Sequence, residues 1–344
     1  MAAVRPWRVA RFAIAIDPVF DARMRETPGL ELTLAPIPKS DEDVSRALAG
    51  AHIYHVSSAR NEMAKYSFVT PRLLDRNPHV RVISTYGAGY DSVDVAACTE
   101  RGVIVMNQAG ANKHSVAEHT IALMLSVVHR LVESDRKLRT QRGFSREDLM
   151  GHEVRGMTLG LVGIGHVGRT VAAIARVLGM EVIATDPYVE PAEIERRGAR
   201  PVGLDDLIAK ADVVSLHCPR DESTVNMMGA AQFARMKPGA YFISTARGGI
   251  HDEEALAQAL RSGHLAGAGL DVWEPEPPPL DHPLLALRNV FATYHTAGVT
   301  FEARRNIAVM AAEQIVGLVR GEKPPRLVNP EAWPGFSSSG GFPS

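Results

Sequence analysis

Short aliphatic and β-branched runs alternate along this chain with segments whose apolar residues recur at helical spacing. Toward the N-terminus the pattern predicts strands at Val9–Ile16, Leu30–Leu34, His52–Val56, Val80–Thr85 and Val103–Met106, and helices at Asp41–Ala49 and Val93–Glu100. A long amphipathic helix is expected over His114–Leu138, with Val116, Ile121, Leu125, Val128 and Val132 on its apolar face. The polar, glycine-punctuated stretch Arg142–Arg155 reads as a linker. The alternation then resumes more strongly. Strands are predicted at Met157–Val162, Glu181–Thr185, Val213–Leu216, Tyr241–Thr245, Ala268–Val272 and Val290–Thr293. Helices fit between them at His166–Leu178, Leu204–Lys210, Ala230–Met236 and Asp252–Ser262, the last opening on three acids that suit a helix N-terminus. Proline-rich Glu274–Leu285 is a loop, a final helix spans about Phe301–Arg320, and the Gly/Ser-rich end Phe336–Ser344 is expected to be disordered. Strands alternating with helices predict βαβ units and mostly parallel sheets, an α/β class.

Composition narrows the possibilities. The 344 residues fit two domains at roughly 100–200 residues each. With 38 Lys+Arg against 39 Asp+Glu the net charge is −1, and no strongly basic block suggests nucleic acid as a partner. Two cysteines, Cys98 and Cys218, make no disulfide framework and suit a reducing, cytoplasmic setting. Cys98 is expected to be a small buried residue. No apolar run approaches a membrane span, and the start, with its short apolar run Phe12–Ile16, reads as a strand rather than a signal peptide.

The sharpest local signal is Thr158-Leu-Gly-Leu-Val-Gly163-Ile-Gly165-His-Val-Gly168, an apolar strand running into G-x-G-x-x-G and then a helix that ends at Gly179. Gly163 permits the tight turn, Gly165 lets a pyrophosphate approach the backbone, and Gly168 lets helix and strand pack closely. The helix N-terminus then offers free N–H groups to phosphate. A second strand ends at Asp186, 23 residues after Gly163, where a carboxylate would accept from the adenosine ribose. With no Arg immediately after it, Asp186 favours NAD over NADP. Three polar residues fall just beyond the ends of later strands: Arg247, Glu276 and His295. Parallel strands would set them on one rim. There an Arg can clamp a carboxylate, a His can pass a proton and a Glu can orient that His, a set suited to hydride transfer to a 2-oxo acid.

The chain resembles the D-isomer-specific 2-hydroxyacid dehydrogenases from about Val80 to Trp333. The matching stretches are Gly87-Ala-Gly-Tyr-Asp91-Ser-Val-Asp94, Ser115-Val-Ala-Glu118, the glycine fingerprint, Leu216-His-Cys-Pro219, Met236-Lys-Pro-Gly239, Thr245-Ala-Arg-Gly-Gly249, Leu270-Asp-Val-Trp-Glu-Pro-Glu276-Pro and Leu327-Val-Asn-Pro330. The resemblance implies two doubly wound parallel-sheet domains with a cleft between them. A flavodoxin-like substrate domain would comprise residues 1–109 and 299–335, and a Rossmann NAD-binding domain residues 110–298, through which such proteins dimerise. It implies that Arg247 binds the substrate carboxylate together with the backbone of Ala88 and Gly89, and that His295 is the acid–base paired with Glu276. Around NAD it implies His166 and Val167 at the pyrophosphate and Cys218 and Pro219 on the adenosine side. Thr245, Ala246, Asp271 and Gly298 would lie near the nicotinamide.

Two departures bear on this picture. Tyr294 stands where the family commonly has Pro before the catalytic His. Phosphoglycerate-type members carry an Arg in the loop after the third strand. Here that loop reads Val56-Ser57-Ser58-Ala-Arg60-Asn61, with Arg60 out of register, and no regulatory domain is expected to follow. Small 2-oxo acids such as glyoxylate, hydroxypyruvate or pyruvate are therefore expected, with phosphoglycerate, formate or phosphite oxidation as enzymatic alternatives and an NAD(H)-sensing corepressor as the non-enzymatic one. His114, Glu118 and His119, one turn apart, resemble a metal pair but lack further ligands, so no metal is expected and these groups read as helix-surface and interface residues. Tyr86 and Tyr90 flank the Gly-Ala-Gly turn and serve either the substrate pocket or packing.

Overall fold

The computed structural model describes residues 6–58 and 62–338, so Arg60 lies outside the described residues. The chain divides into two compact units, 1–112 with 301–344, and 113–300. In the first, β1 (Trp7–Phe12), β2 (Leu30–Ala35), β3 (Ile53–Val56), β4 (Val82–Thr85) and β5 (Ile104–Met106) form a parallel sheet in the order β2-β1-β3-β4-β5. This is the doubly wound order of flavodoxin-like sheets. Both faces are covered. Ala10, Tyr54, Ile83 and Val105 pack with Val44, Leu48 and Leu73, while Val9, Ile53, Val82 and Ile104 pack with Ala308, Ala311 and Ile315 of the helix Phe301–Val319. Burial on both faces makes central parallel strands continuous apolar runs, which is why they stand out in the sequence.

The helices α1 (Val19–Glu26), α2 (Asp41–Leu48), α3 (Pro71–Arg76) and α4 (Val95–Glu100) connect these strands. Ser40, Thr70 and Asp94 cap the last three by accepting from Asp43, Leu73 and Ala97 N–H. The helix α1 and the short α3 carry too little apolar periodicity to be read from sequence. The first strand ends at Phe12 rather than Ile16. The expectation of a disordered end fails for Phe336–Ser338, which belong to the helix Trp333–Ser338. Phe336 is fully buried and stacks on Trp333 at 5.6 Å.

The second unit opens with α5 (Lys113–Val128) and α6 (Leu131–Thr140) in place of one long helix. The break is at Arg130, left-handed with φ 55°, where the chain past Gly151 crosses the end of α5 and His152 N–H bonds Val128 O at 3.0 Å. Eight residues of α5 are buried and none of α6 is, so apolar packing ends where the helix does. Its sheet comprises β6 (Thr158–Val162), β7 (Glu181–Thr185), β8 (Arg200–Pro201), β9 (Val213–Leu216), β10 (Ala240–Ser244), β11 (Leu265–Leu270) and β12 (Val290–Ala292). All pair in parallel, in the order β12-β11-β10-β9-β6-β7-β8. This is the Rossmann order with one strand added at an edge, and the order reverses between β6 and β9. The connecting helices are α7 (His166–Val177), α8 (Pro191–Arg196), α9 (Leu204–Lys210), α10 (Ala230–Arg235) and α11 (Glu253–Arg261). No helix among the described residues is long and apolar enough to cross a membrane.

Candidate functional site

The glycine turn sits at the reversal point. Gly163 follows β6 with φ 92°, and a Cβ there would lie 2.9 Å from Cys218 N, just past the end of β9. A Cβ on Gly168 would lie 2.3 Å from Gly163 O, so only glycine lets α7 approach the turn. Gly165 has nothing within 4 Å of its hypothetical Cβ. The first helical residues of α7 are His166 and Val167, and His166 is exposed. This turn therefore offers an open, amide-lined surface of the kind a pyrophosphate requires.

Two groups brace the turn. Asp186 Oδ2 accepts from Ile164 N–H at 3.0 Å and its Oδ1 from Tyr188 N–H at 3.0 Å. Arg197 Nη1 donates to Ile164 O at 2.8 Å, a support with no local sequence signal. Nearby, Cys218 is half-buried, and burial pushes its thiol up to about 11, which disfavours the thiolate. Pro219 O accepts from the Thr224 hydroxyl at 2.9 Å.

Beyond the later strands, His295 Nδ1 lies 2.9 Å from Glu276 Oε2. The imidazole is 30% exposed and the carboxylate 16%. The Trp273 N–H donates to the other Glu276 oxygen at 3.1 Å, and the Trp273 indole N–H to Thr293 O at 2.9 Å. Arg247 leaves β10 with Nη1 bonded to Ala246 O at 2.7 Å. The next residue, Gly248, packs so closely that a Cβ would lie 1.9 Å from Trp273 O. The turn of Arg247 thus rests on the loop that carries Glu276, and the structure brings these two segments and His295 to the same edge of the sheet.

His295 has φ 47°, and Tyr294 before it is half-exposed. The loop is shaped largely by Asp271, which is fully buried. Its carbonyl accepts from His295 N–H at 2.6 Å. Its carboxylate accepts from the Thr293 hydroxyl at 2.6 Å and from the N–H groups of Thr296 and Ala297 at 2.8 and 2.9 Å. The helix α5 supports the same loop from below. His119 Nε2 lies 2.9 Å from the Thr293 hydroxyl and 3.5 Å from Asp271 Oδ1, Ser115 donates to Ala297 O at 2.5 Å, and Thr120 bonds Thr245 at 2.9 Å. His119 is therefore a partly buried support of this loop, not an open helix-surface group. Its spacing from Ser115, one turn earlier, is the signal that could have found it. Gly298 lies in the turn that follows, where Val299 N–H donates to Thr296 O at 2.9 Å.

Ala88 and Gly89 lie in the first unit, in the turn after β4, where Asn107 donates to Ala88 O at 2.8 Å. Tyr86 is buried with its ring 4.2 Å from that of His55, a packing role, whereas Tyr90 is exposed. Cys98 is fully buried.

Burial holds three histidines neutral, lowering His55 to about 3 and His217 and His251 to about 4. In the unfolded chain each titrates at about 6.5. Their depressed folded values leave stability untouched above that pH and reduce it as pH falls from there toward 4. His251 has no hydrogen-bond partner for either ring nitrogen among the described residues, a state that costs about 1–3 kcal/mol. His251→Phe should therefore melt no lower at pH 7.5 and lose less Tm than the parent at pH 5. An unchanged acid sensitivity in thermal melts would refute this.

Comparison with known proteins adds independent findings. Residues 121–297 match the family model described as D-isomer specific 2-hydroxyacid dehydrogenase, NAD binding domain. The chain is 40% identical over 268 residues to a D-3-phosphoglycerate dehydrogenase of Archaeoglobus fulgidus, covering 76% of this chain but 51% of that protein. It therefore spans about half the length of that relative. It is 38% identical to a glyoxylate reductase of Korarchaeum cryptofilum, over 76% of this chain and 80% of the relative. Among solved structures, a glyoxylate reductase from Paecilomyes thermophila superimposes with a TM-score of 0.82 at 27% identity, over 95% of this chain and 99% of that one.

Proposed function

This chain belongs to the D-isomer-specific 2-hydroxyacid dehydrogenases, and we propose that it interconverts a small 2-oxo acid and a D-2-hydroxy acid with NAD. The observation that carries this reading is the His295–Glu276 pair at 2.9 Å, on the sheet edge that also presents Arg247, in a unit whose glycine turn is open for a dinucleotide. Bound NADH supplies the hydride. Arg247 clamps the substrate carboxylate through parallel hydrogen bonds and polarises the neighbouring carbonyl. His295, oriented by Glu276, gives the carbonyl oxygen its proton in reduction and takes it back in oxidation. Asp186 accepts from the adenosine ribose while keeping the turn in place. Backbone N–H groups of the turn and of His166 and Val167 face the pyrophosphate, and Cys218, Pro219, Thr245, Ala246, Asp271 and Gly298 line the remainder of the cofactor site.

A small substrate without a distal anion fits best. In the loop after β3, the described residues Ser57 and Glu62 are joined by a hydrogen bond, and Glu62 also pairs with Arg304 at 3.5 Å. Where phosphoglycerate-type members carry an Arg, the described part of this loop thus presents an acid already committed to Ser57 and Arg304. Loss of NADH absorbance with glyoxylate, hydroxypyruvate and pyruvate, and weaker turnover of phosphorylated substrates, would support the reading. No turnover with any 2-oxo acid would refute it.

Asp186→Ala should weaken NADH binding by about 10-fold or more, because a charged hydrogen-bond acceptor is worth about 1.5–3 kcal/mol. Unchanged affinity in a fluorescence titration would undo the ribose assignment. We also infer a homodimer through the second unit. Leu131 and Leu138 of α6 and Met150 beyond it are 53%, 64% and 72% exposed, an apolar set that a second copy would cover. Leu138→Glu should halve the mass seen by light scattering, and a monomeric parent would overturn the inference.

A further inference from the structure

Behind Glu276 and His295 lies a second carboxylate–imidazole pair, Glu253 and His282, with both side chains 11% exposed. Glu253 is the first residue of α11, capped by Asp252, and His282 lies in the proline-rich loop. Glu253 Oε2 is 2.9 Å from His282 Nε2, and its Oε1 accepts the Glu274 N–H at 2.9 Å. The Leu284 N–H donates to His282 Nδ1 at 3.3 Å. The neutral ring therefore carries its hydrogen on Nε2 and donates it to Glu253. Both oxygens of one buried carboxylate thus accept an N–H, and the start of a helix favours that negative charge.

The peptide this carboxylate holds is a junction. His282 stands edge-on to Trp273, ring centroids 5.6 Å apart at 78°. Trp273 bonds Glu276 through its N–H and Thr293 through its indole. Gly248, beside Arg247, presses on Trp273 O, and its Cβ would lie 3.0 Å from Glu274 N. We propose that Glu253 and His282 are positioning residues that fix the Trp273–Glu276 turn, and through it the Glu276–His295 pair, without touching any reactant. The proposal rests on the activity argued above. Its physical basis is that displacing a catalytic group by about 1 Å costs up to ~100-fold in rate.

Glu253→Gln has one accepting oxygen and keeps at most one of the two N–H bonds. Its kcat should fall about 10–100-fold, while its affinity for NADH stays at the parent value. The loss should vanish when Glu276→Gln is already present, because Glu253 acts through Glu276. His282→Gln, whose amide still donates, should retain more activity than His282→Ala, which covers the case in which Glu253→Gln fails to fold. In the protein without cofactor, the Trp273 indole N–H resonance, identified by its absence in Trp273→Phe, should move in Glu253→Gln or His282→Ala. An unmoved resonance, an unchanged kcat, or an equal loss in the Glu276→Gln background would overturn the proposal. If the parent turns over no 2-oxo acid while the resonance still moves, the positioning role stands and the activity assignment falls.

Discussion

His295→Ala is expected to lower kcat by about 10²–10⁴-fold, the range for removing a general acid–base, with NADH binding unchanged. The imidazole bonds Glu276, so its loss leaves the glycine turn intact. The backbone complicates the choice of variant. At φ 47° any side chain meets a left-handed penalty of about 1–2 kcal/mol, which His and Asn tolerate better than Ala, so the Ala variant adds part of that strain to the loop. Asn tolerates this conformation and cannot act as a proton donor of comparable acidity. His295→Asn should therefore be nearly as slow as His295→Ala but more stable. Single-turnover rates and thermal melts on both variants separate proton transfer from loop strain. Turnover near the parent level in His295→Asn would remove the histidine from the mechanism.

Arg247→Lys is expected to cost about 10²–10³-fold in kcat/KM, comparable to losing a donor aimed at developing charge. The substitution keeps the charge, so electrostatics alone would predict little effect. What it removes is the planar fork that matches a carboxylate with two parallel bonds, which an ammonium cannot reproduce. Arg247 already spends one N–H on Ala246 O, and this bond orients the fork. Gly248 against Trp273 then sets the depth of the turn. The effect should fall more on KM for the 2-oxo acid than on NADH affinity. Steady-state kinetics with saturating NADH check this, and a Lys variant as active as the parent would place the substrate carboxylate elsewhere.

Much of this protein was legible because its signals are local. The strands Ile53–Val56 and Val213–Leu216 are mostly apolar and buried at every position since both faces of each sheet are covered, and the G-x-G-x-x-G turn at 163–168 declares a backbone conformation and a close approach that only glycine allows. The break at Arg130 was hidden because no Gly or Pro marks it. It follows from a crossing segment more than twenty residues later. The role of His119 as a support was hidden for the same reason. Its partners, Thr293 and Asp271, are far along the chain, so nothing near it distinguishes a support from a surface group.

The sequence by itself determined the α/β class, the parallel strands and the glycine turn, and it singled out Arg247, Glu276 and His295 as candidates, since each depends on periodicity, turn chemistry or residue type within a short span. Only the tertiary structure decided which residues hold them. Asp271 under the His295 loop, Arg197 on the glycine turn, and Glu253 with His282 behind Trp273 are hydrogen-bonded across distant segments. Such partnerships arise where strand ends converge, and no local pattern encodes which ends will meet.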